Sequence, residues 1–561
     1  MARMTHIRQL ADDYVTRMAA LDPILATSLG LPEGQRELPD YSPDGYAATN
    51  ALDRETLAAL RAAEVTTEAD RIARDVMRER LGVRTDIYDA GERYLGVRTL
   101  GSPMGALRGV FDQMPRDTED QWSNIAARMA AIPAALDRLR ITLDEGLAKG
   151  RIAATRQVVE SIRQVETFAG VRGPKSSFFD GLVDRYAQRE HQADSVRADL
   201  ATGARAANDA YADFARYLRD TYLPRATDRE AAGDERYALM SRLYLGDEID
   251  PREVYAWGWE ELHRIEAEMA STAERIRPGA ATAEAIDLIE HDPARSVEGV
   301  NAYRAWLQEV HDRALFDLDG THFDIDPRIK CIEVMIPPPG GPLAIYYTGP
   351  SEDLARPGRT WWPTGTRTRF PKWQDVTTAY HEGVPGHHLQ VGSTRVLDLT
   401  RYQRVMTFVS GHGEGWALYA ERLMAELGYL DNPDYYMGML SGQAMRAVRV
   451  IIDIGMHLEL PIPASESFHR GETWDHDLAR EFLIDRTGRD PEAMASEILR
   501  YLGSPAQAIS YKVGERAWLA ARESAKQRAG ASFDLKQFHT RALALGPMGL
   551  RQLRSELDAL V

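Results

Sequence analysis

Pro385 sits in the stretch Tyr380-His-Glu-Gly-Val-Pro-Gly-His-His-Leu-Gln390, and no α-helix runs through that stretch undisturbed. A proline inside a helix removes one hydrogen bond and collides with the carbonyl four residues back, here that of His381. Gly386 follows and tolerates unusual dihedrals. The chain is therefore expected to break between His381 and His387. A His-Glu pair followed within two turns by another His is how many zinc hydrolases hold their metal. Two imidazoles ligate, and the carboxylate between them acts on the water that the metal activates. The usual spacing is i, i+4, close to one full turn. His381 and His387 are six apart, which on a straight helix is about 600° and points the rings apart. A bulge at Pro385 is expected to absorb the extra residues and swing His387 back toward His381. His388, at a spacing of seven, shares a face with His381 on a straight helix and is the alternative second ligand.

A two-histidine site needs a third protein ligand and leaves a fourth position open. The candidates lie in Gly411-His-Gly-Glu-Gly-Trp-Ala-Leu-Tyr-Ala-Glu421. Glu414 comes far enough after His387 for one helix to end and a second to return beside it. Gly413 and Gly415 leave room for close backbone approach. Glu421 shares a helical face with Glu414. One of the two carboxylates is expected to ligate and the other to orient an imidazole; His412 competes for the place.

These residues also carry a resemblance. The pattern His-Glu-Gly-x-Pro-Gly-His-His-x-Gln, then Glu-Gly-Trp-Ala-x-Tyr-Ala-Glu, resembles the domain of unknown function 885 family. So do Arg449-Val-Ile-Ile-Asp453-Ile-Gly-Met-His457 and Pro505-Ala-Gln507-Ala-Ile-Ser-Tyr511-Lys512-Val-Gly514. The resemblance spans most of the chain, with its specific motifs between about Tyr346 and Gly514. It implies a zinc-peptidase-like protein related to gluzincins: a large, mainly α-helical fold around a deep channel, with one zinc ion. Glu-Gly-Trp-Ala is also similar to the Asn-Glu-Gly-Phe-Ala of zinc aminopeptidases, whose Glu is the third ligand. That similarity puts Glu414 ahead of Glu421; Gly413 stands where that motif has Asn. Carboxypeptidase or dipeptidase action is what the family resemblance implies.

Composition narrows the partners. Lys and Arg number 68 against 85 Asp and Glu, a formal net charge of −17. That argues against nucleic acid, whose phosphates call for clustered Lys and Arg. Cys331 is the only cysteine, which excludes a disulfide framework and a thiolate zinc site; it reads as a small core residue. The first residues, Met1 to Asp13, hold no apolar run long enough for a signal peptide, and no window approaches a membrane span. A cytoplasmic enzyme without membrane or nucleic-acid partners is expected. Its substrate would be a short peptide or small amide; a homodimer is a possible assembly, on which the sequence does not decide.

The first half reads as helices. Asp250-Pro251-Arg-Glu253 supplies an N-cap, a proline at the first helical position and a Glu to close a capping box. Leu262, Ile265, Met269 and Ile276 then form one core stripe. Asn432-Pro433, Asp490-Pro491 and Ser504-Pro505 repeat the cap signal, the last expected to start the helix that carries Gln507 and Tyr511. Ile329–Ile336 and Leu343–Tyr347 look like strands around the turn cluster Pro337–Pro342. They predict a small hairpin or sheet next to the zinc helix, where a peptide could add as an extra strand. Gly349–Pro371 reads as an ordered loop. A soft boundary near Pro278–Arg295 divides a helical N-terminal region, 1–290, from a catalytic zinc-binding region, 291–561, unless the two are one continuous domain.

The remaining roles follow from what zinc-assisted peptide hydrolysis needs. Glu382 is the general base. Tyr511 is the candidate oxyanion donor, a role the family match strengthens, with Gln507 expected one turn before it on the same face. Asp453 and His457, at i, i+4, would orient a ligand, bind substrate or brace helix packing. Tyr346, Tyr347, Lys512, Arg449 and Arg500 are candidates to hold a substrate carboxylate. The expectation is a zinc metallohydrolase, a peptidase in first place. A metal-dependent amidase or esterase on a small metabolite, or a non-enzymatic helical binding protein with a relic site, are the alternatives.

Overall fold

The computed structural model describes residues 6–173, 176–337, 344–488 and 490–559. Helices dominate, and the described strands are short. The chain divides into two compact units, Met1–Ala231 with Leu499–Ser504, and Ala232–Ile498 with Pro505–Val561. Among the described residues no helix is long and apolar enough to cross a membrane.

The first unit is built on α1 (Glu119–Ala148) and α2 (Asp194–Tyr217). Thr118 and Gln121 close a reciprocal capping box at the start of α1. Trp122, Met129, Leu136, Leu200, Tyr211 and Phe214 lie in its buried core. The returning segment 499–504 is tied in by Gln157, whose Nε2 donates to the Leu499 carbonyl at 2.7 Å.

The second unit holds the His-Glu, Glu-Gly-Trp, Arg449–His457 and Pro505–Gly514 motifs, while Arg500 and Ser504 fall in the returning segment of the first. Its α3 (Pro251–Ile276) starts as expected, with the Asp250 carboxylate accepting from the backbone of Arg252 and Glu253. No capping box forms, because the Glu253 carboxylate pairs with Arg516 at 2.8 Å instead. Leu262, Ile265 and Met269 are buried, and Ile276, at the helix end, is half-buried. Next come β1 (Ser296–Glu298), α4 (Val300–Leu318), β2 (Ile332–Met335), β3 (Tyr346–Thr348), β4 (Gly358–Trp361) and β5 (Arg369–Pro371). Then follow α5 (Lys372–Glu382), α6 (His387–Val396), α7 (Ser410–Glu426), α8 (Pro433–His457) and α9 (Ser510–Ala529). The stretch 278–295 contains a short helix, Thr282–His291.

The expected small sheet is present, but not as a hairpin. β4 lies between the two anticipated strands, parallel to β2 and antiparallel to β3. β1 pairs with β5 separately. The Gly349–Pro371 stretch thus supplies the central strand of one sheet and an edge of another, where the sequence suggested a loop. Most of the expected turn, 338–342, lies outside the described residues. Cys331 is exposed rather than in the core. Alternation along β2 buries Ile332 and Val334 and leaves Cys331 and Glu333 on the outer side.

Two histidines fasten this sheet to the helices. His311 on α4 stands 3.2 Å from Thr360 Oγ1 on β4. His388 on α6 donates from Nε2 to the Ile329 carbonyl at 2.7 Å and accepts the Tyr347 hydroxyl of β3 at Nδ1, 3.0 Å away.

Candidate metal centre

The break at Pro385 is complete. Instead of one bulged helix, α5 stops at Glu382 and α6 begins at His387. The Gly386 N–H reaches back to the Tyr380 carbonyl at 3.0 Å, and the His388 N–H to that of Gly383, also at 3.0 Å. Gly386 is there for space, since a Cβ would stand 1.9 Å from the His381 carbonyl oxygen. The loop is held from α7 by Trp416, whose indole N–H donates to the Pro385 carbonyl at 2.8 Å. Gln390 of α6 donates to His412 Nδ1 of α7 at 2.9 Å. Gly415 completes the seating of α7. A Cβ there would stand 2.5 Å from the Cα of Gly514, so the two helices cross glycine on glycine.

This packing brings three side chains together. One ligand atom from each of His381, His387 and Glu414 lies within 4.8 Å of the others. Glu414 Oε2 is 3.4 Å from His381 Nε2 and 3.3 Å from His387 Nε2. The two imidazoles meet edge-on, with centroids 4.9 Å apart. Zinc bonds of about 2.0–2.2 Å at tetrahedral angles place ligand atoms roughly 3.3–3.6 Å apart, so both imidazole–carboxylate separations fit one ion. Glu414 Oε2 and His387 Nδ1 are buried with no hydrogen-bond partner among the described residues, although buried polar atoms are normally satisfied.

A second carboxylate orients one imidazole. His381 Nδ1 donates to Glu421 Oε1 at 2.8 Å. That bond leaves the Nε2 lone pair of the neutral ring facing Glu414, as a metal-ligating histidine requires. Glu421 is completely buried, and its other oxygen accepts the Thr377 hydroxyl at 3.0 Å.

The electrostatics favour a cation. Burial disfavours a charged His381, yet Glu414 and Glu421 outweigh it and lift its pKa to about 9. Burial likewise pushes the Glu414 carboxyl up, but the two imidazoles hold it well below the usual range. Burial raises the pKa of Glu382 against the pull of His387 and His381, and the Glu414 charge adds to the rise. With neutral imidazoles, three carboxylates face the one guanidinium of Arg446, 3.6 Å from Glu421. With the rings neutral and all three carboxylates ionised, as a bound cation would hold them, two negative charges are left over, which a divalent cation balances.

The other candidates divide. His388 is not with the three, because its ring nitrogens are engaged by the Ile329 carbonyl just before β2 and by Tyr347 of β3, and burial lowers its pKa to about 4. Tyr347 is its partner, and Tyr346 stacks on Trp361 at 5.7 Å. His412 is engaged by Gln390. Lys512 is buried and spent on Glu261 at 2.7 Å, on Gln443 at 2.7 Å and on Glu515. Arg449 donates to Glu497 at 2.9 Å, and Arg500 covers the ring of Tyr501. The Asp453 carboxylate accepts from the Tyr237 hydroxyl at 2.7 Å and the Ala506 N–H at 3.0 Å. His457 Nδ1 accepts from the Ala232 N–H at 3.3 Å.

The helix expected from Pro505 starts only at Ser510. Gln507 therefore lies in the preceding turn rather than one helical turn before Tyr511. Tyr511, half-buried at the start of α9, has its ring centroid 5.8 Å from the Arg446 guanidinium and 4.9 Å from that of Arg449. Sequence reasoning missed Arg446 and Thr377, since neither belongs to a metal motif and packing alone brings them to Glu421.

Fold and site together define a mainly α-helical protein with a buried His-His-Glu cluster at a break between two helices. The chain belongs to the family described as "Bacterial protein of unknown function (DUF885)", whose model matches residues 23–557. No curated protein matches it. Solved structures share its fold, among them the following two. A protein of Colwellia psychrerythraea described as a "putative lipoprotein" has a TM-score of 0.83 at 21% identity, over 99% of each chain. One of Shewanella oneidensis, a "putative lipoprotein of unknown function", has a TM-score of 0.73 at 18% identity, over 98% of this chain and 99% of that one.

Proposed function

We propose that this chain is a zinc-dependent hydrolase and, within that class, a peptidase of carboxypeptidase or dipeptidase type acting on short peptides. The observation that carries the reading is the convergence of His381, His387 and Glu414 with an unpartnered carboxylate oxygen between two imidazoles. These three residues would hold one zinc ion, which when bound supplies Lewis acidity toward water and a carbonyl. Glu421, with Thr377 behind it, fixes the ring of His381. Glu382, adjacent to His381 and largely buried, is the base that takes a proton from the attacking water and delivers it to the leaving nitrogen. The Tyr511 hydroxyl is the candidate donor to the developing oxyanion.

An intact carboxylate at position 382 supports an enzyme over a relic site, because a purely structural metal needs no base. A cytoplasmic location belongs to the same reading. Cell fractionation tests it against the envelope location that the word lipoprotein attaches to the two structural neighbours. A substrate panel tests the activity: dipeptides and tripeptides against small amides and esters, each with and without a chelator. Chelator-sensitive peptide hydrolysis is expected. Hydrolysis confined to esters or non-peptide amides would reassign the substrate, and no chelator-sensitive hydrolysis of any kind would overturn the enzyme reading.

A further inference from the structure

Between Ser441 and Val450, α8 is buried except at Arg446 and Arg449. Arg449 has Glu497 at 2.9 Å. Arg446 makes a looser contact, 3.6 Å from Nη2 to Glu421 Oε1, and that oxygen already accepts from His381. The Nε of Arg446 is buried with no hydrogen-bond partner among the described residues. Space for the guanidinium comes from Gly442, one turn earlier, where a Cβ would stand 2.6 Å from Arg446 Nη1. The Arg446 side chain keeps 17% of its surface exposed, its guanidinium lies 5.8 Å from the Tyr511 ring centroid, and its charge acts on both Glu382 and Glu421. A guanidinium with much of its planar fork unspent, beside the orienting carboxylate, is built for a second carboxylate, which it grips bidentately. Lys512 offers no rival, being consumed inside its own cluster.

We propose that Arg446 binds the free C-terminal carboxylate of the substrate, so that the site takes short peptides from that end. The inference rests on the zinc-peptidase reading and names the substrate group that reading leaves open. The contrasting role is a brace acting only through Glu421 on His381. Such a brace would change metal affinity and all substrates together, whereas an anchor changes only substrates that carry the carboxylate.

The test uses zinc-loaded full-length protein and two equimolar pools of the same tripeptides, one with free C-termini and one C-terminally amidated. Products are read by mass spectrometry. The wild type is expected to favour the free-acid pool by about 30-fold or more, the scale of truncating one partner of a buried charge pair. Arg446→Met is expected to bring the ratio close to one while zinc content and melting temperature hold. Arg446→Lys keeps charge without the fork and should retain only part of the preference; it carries the test if the methionine variant does not fold. Equal cleavage of both pools by the wild type, or a preference that survives Arg446→Met, overturns the proposal. The hydrolase reading then still stands on zinc content and Glu382 dependence measured on the same preparations. A parallel loss of zinc and of both activities in Arg446→Met makes Arg446 a brace and also overturns it. If neither pool is cut, the peptidase reading falls and the proposal with it.

Discussion

Two polar clusters in the second unit are built in opposite ways. Around Lys512, charges meet their opposites. The ammonium contacts Glu261, Glu515 and Gln443, Gln443 donates on to Glu515 at 3.1 Å, and Glu261 also takes Arg264 at 2.7 Å. Around His381, two imidazole nitrogens face one carboxylate oxygen that has no hydrogen-bond partner among the described residues, so that with the rings neutral, as metal ligation requires, lone pairs converge on lone pairs. A closed buried network holds helices in one arrangement and has nothing left for a ligand. An open one is costly by itself and is sustained when it binds something cationic. Burial and polarity alone would have ranked the two clusters equally; the direction of the unmatched atoms separates them.

Substitutions can break that contrast or sharpen it. The largest effect is expected from Glu382→Gln, which retains fold and zinc and lowers kcat by about 10²–10⁴. Steady-state kinetics with zinc analysis checks it, and near-wild-type turnover would move the base elsewhere. Lys512→Met strands buried carboxylates and should cost about 3–5 kcal/mol of stability. In denaturant unfolding that loss should appear with zinc stoichiometry per folded molecule unchanged; a stable variant that fails to bind zinc would place Lys512 in the metal site. The adjacent histidines should part company. His387→Ala loses zinc, whereas His388→Ala keeps it and destabilises by about 1–3 kcal/mol for each buried partner left unsatisfied. The reverse result would return the second ligand to His388. Glu421→Gln, the smallest of these changes, should weaken zinc affinity about 10–100-fold without removing the site, as read by competition with a chelating dye.

The helix break was legible because proline acts locally: its missing N–H and its ring interrupt α5 whatever surrounds them. Its form was not, since a bulge and a full stop share the same residues, and the carbonyls and Trp416 that hold the loop decide between them. Glu-Gly-Trp was legible in part: Glu414 was expected near the histidines and lies with them, and Gly415 was expected to allow close backbone approach and stands against Gly514, whereas the hold of Trp416 on the Pro385 carbonyl is a tertiary contact the sequence did not show. β4 escaped because four residues among prolines and glycines are too few to display an alternating pattern. The start of α9 was misjudged because a side chain remote in sequence, Asp453, takes the Ala506 N–H and holds the Pro505 segment as a turn. Arg446 and Thr377 were invisible for the same reason: their meaning comes from tertiary neighbours.

On the reading proposed above, His381, His387 and Glu414 hold one metal ion. Elemental analysis of protein purified without chelator, then stripped and reloaded with zinc, tests it most directly, with Glu414→Ala and Lys512→Met prepared in parallel. About one equivalent of zinc is expected in the wild type and in folded Lys512→Met, and essentially none in Glu414→Ala. A wild-type protein that takes up no zinc, manganese or cobalt under any loading condition, or a Glu414→Ala protein that still binds a full equivalent, would mean that these three residues are not the metal site.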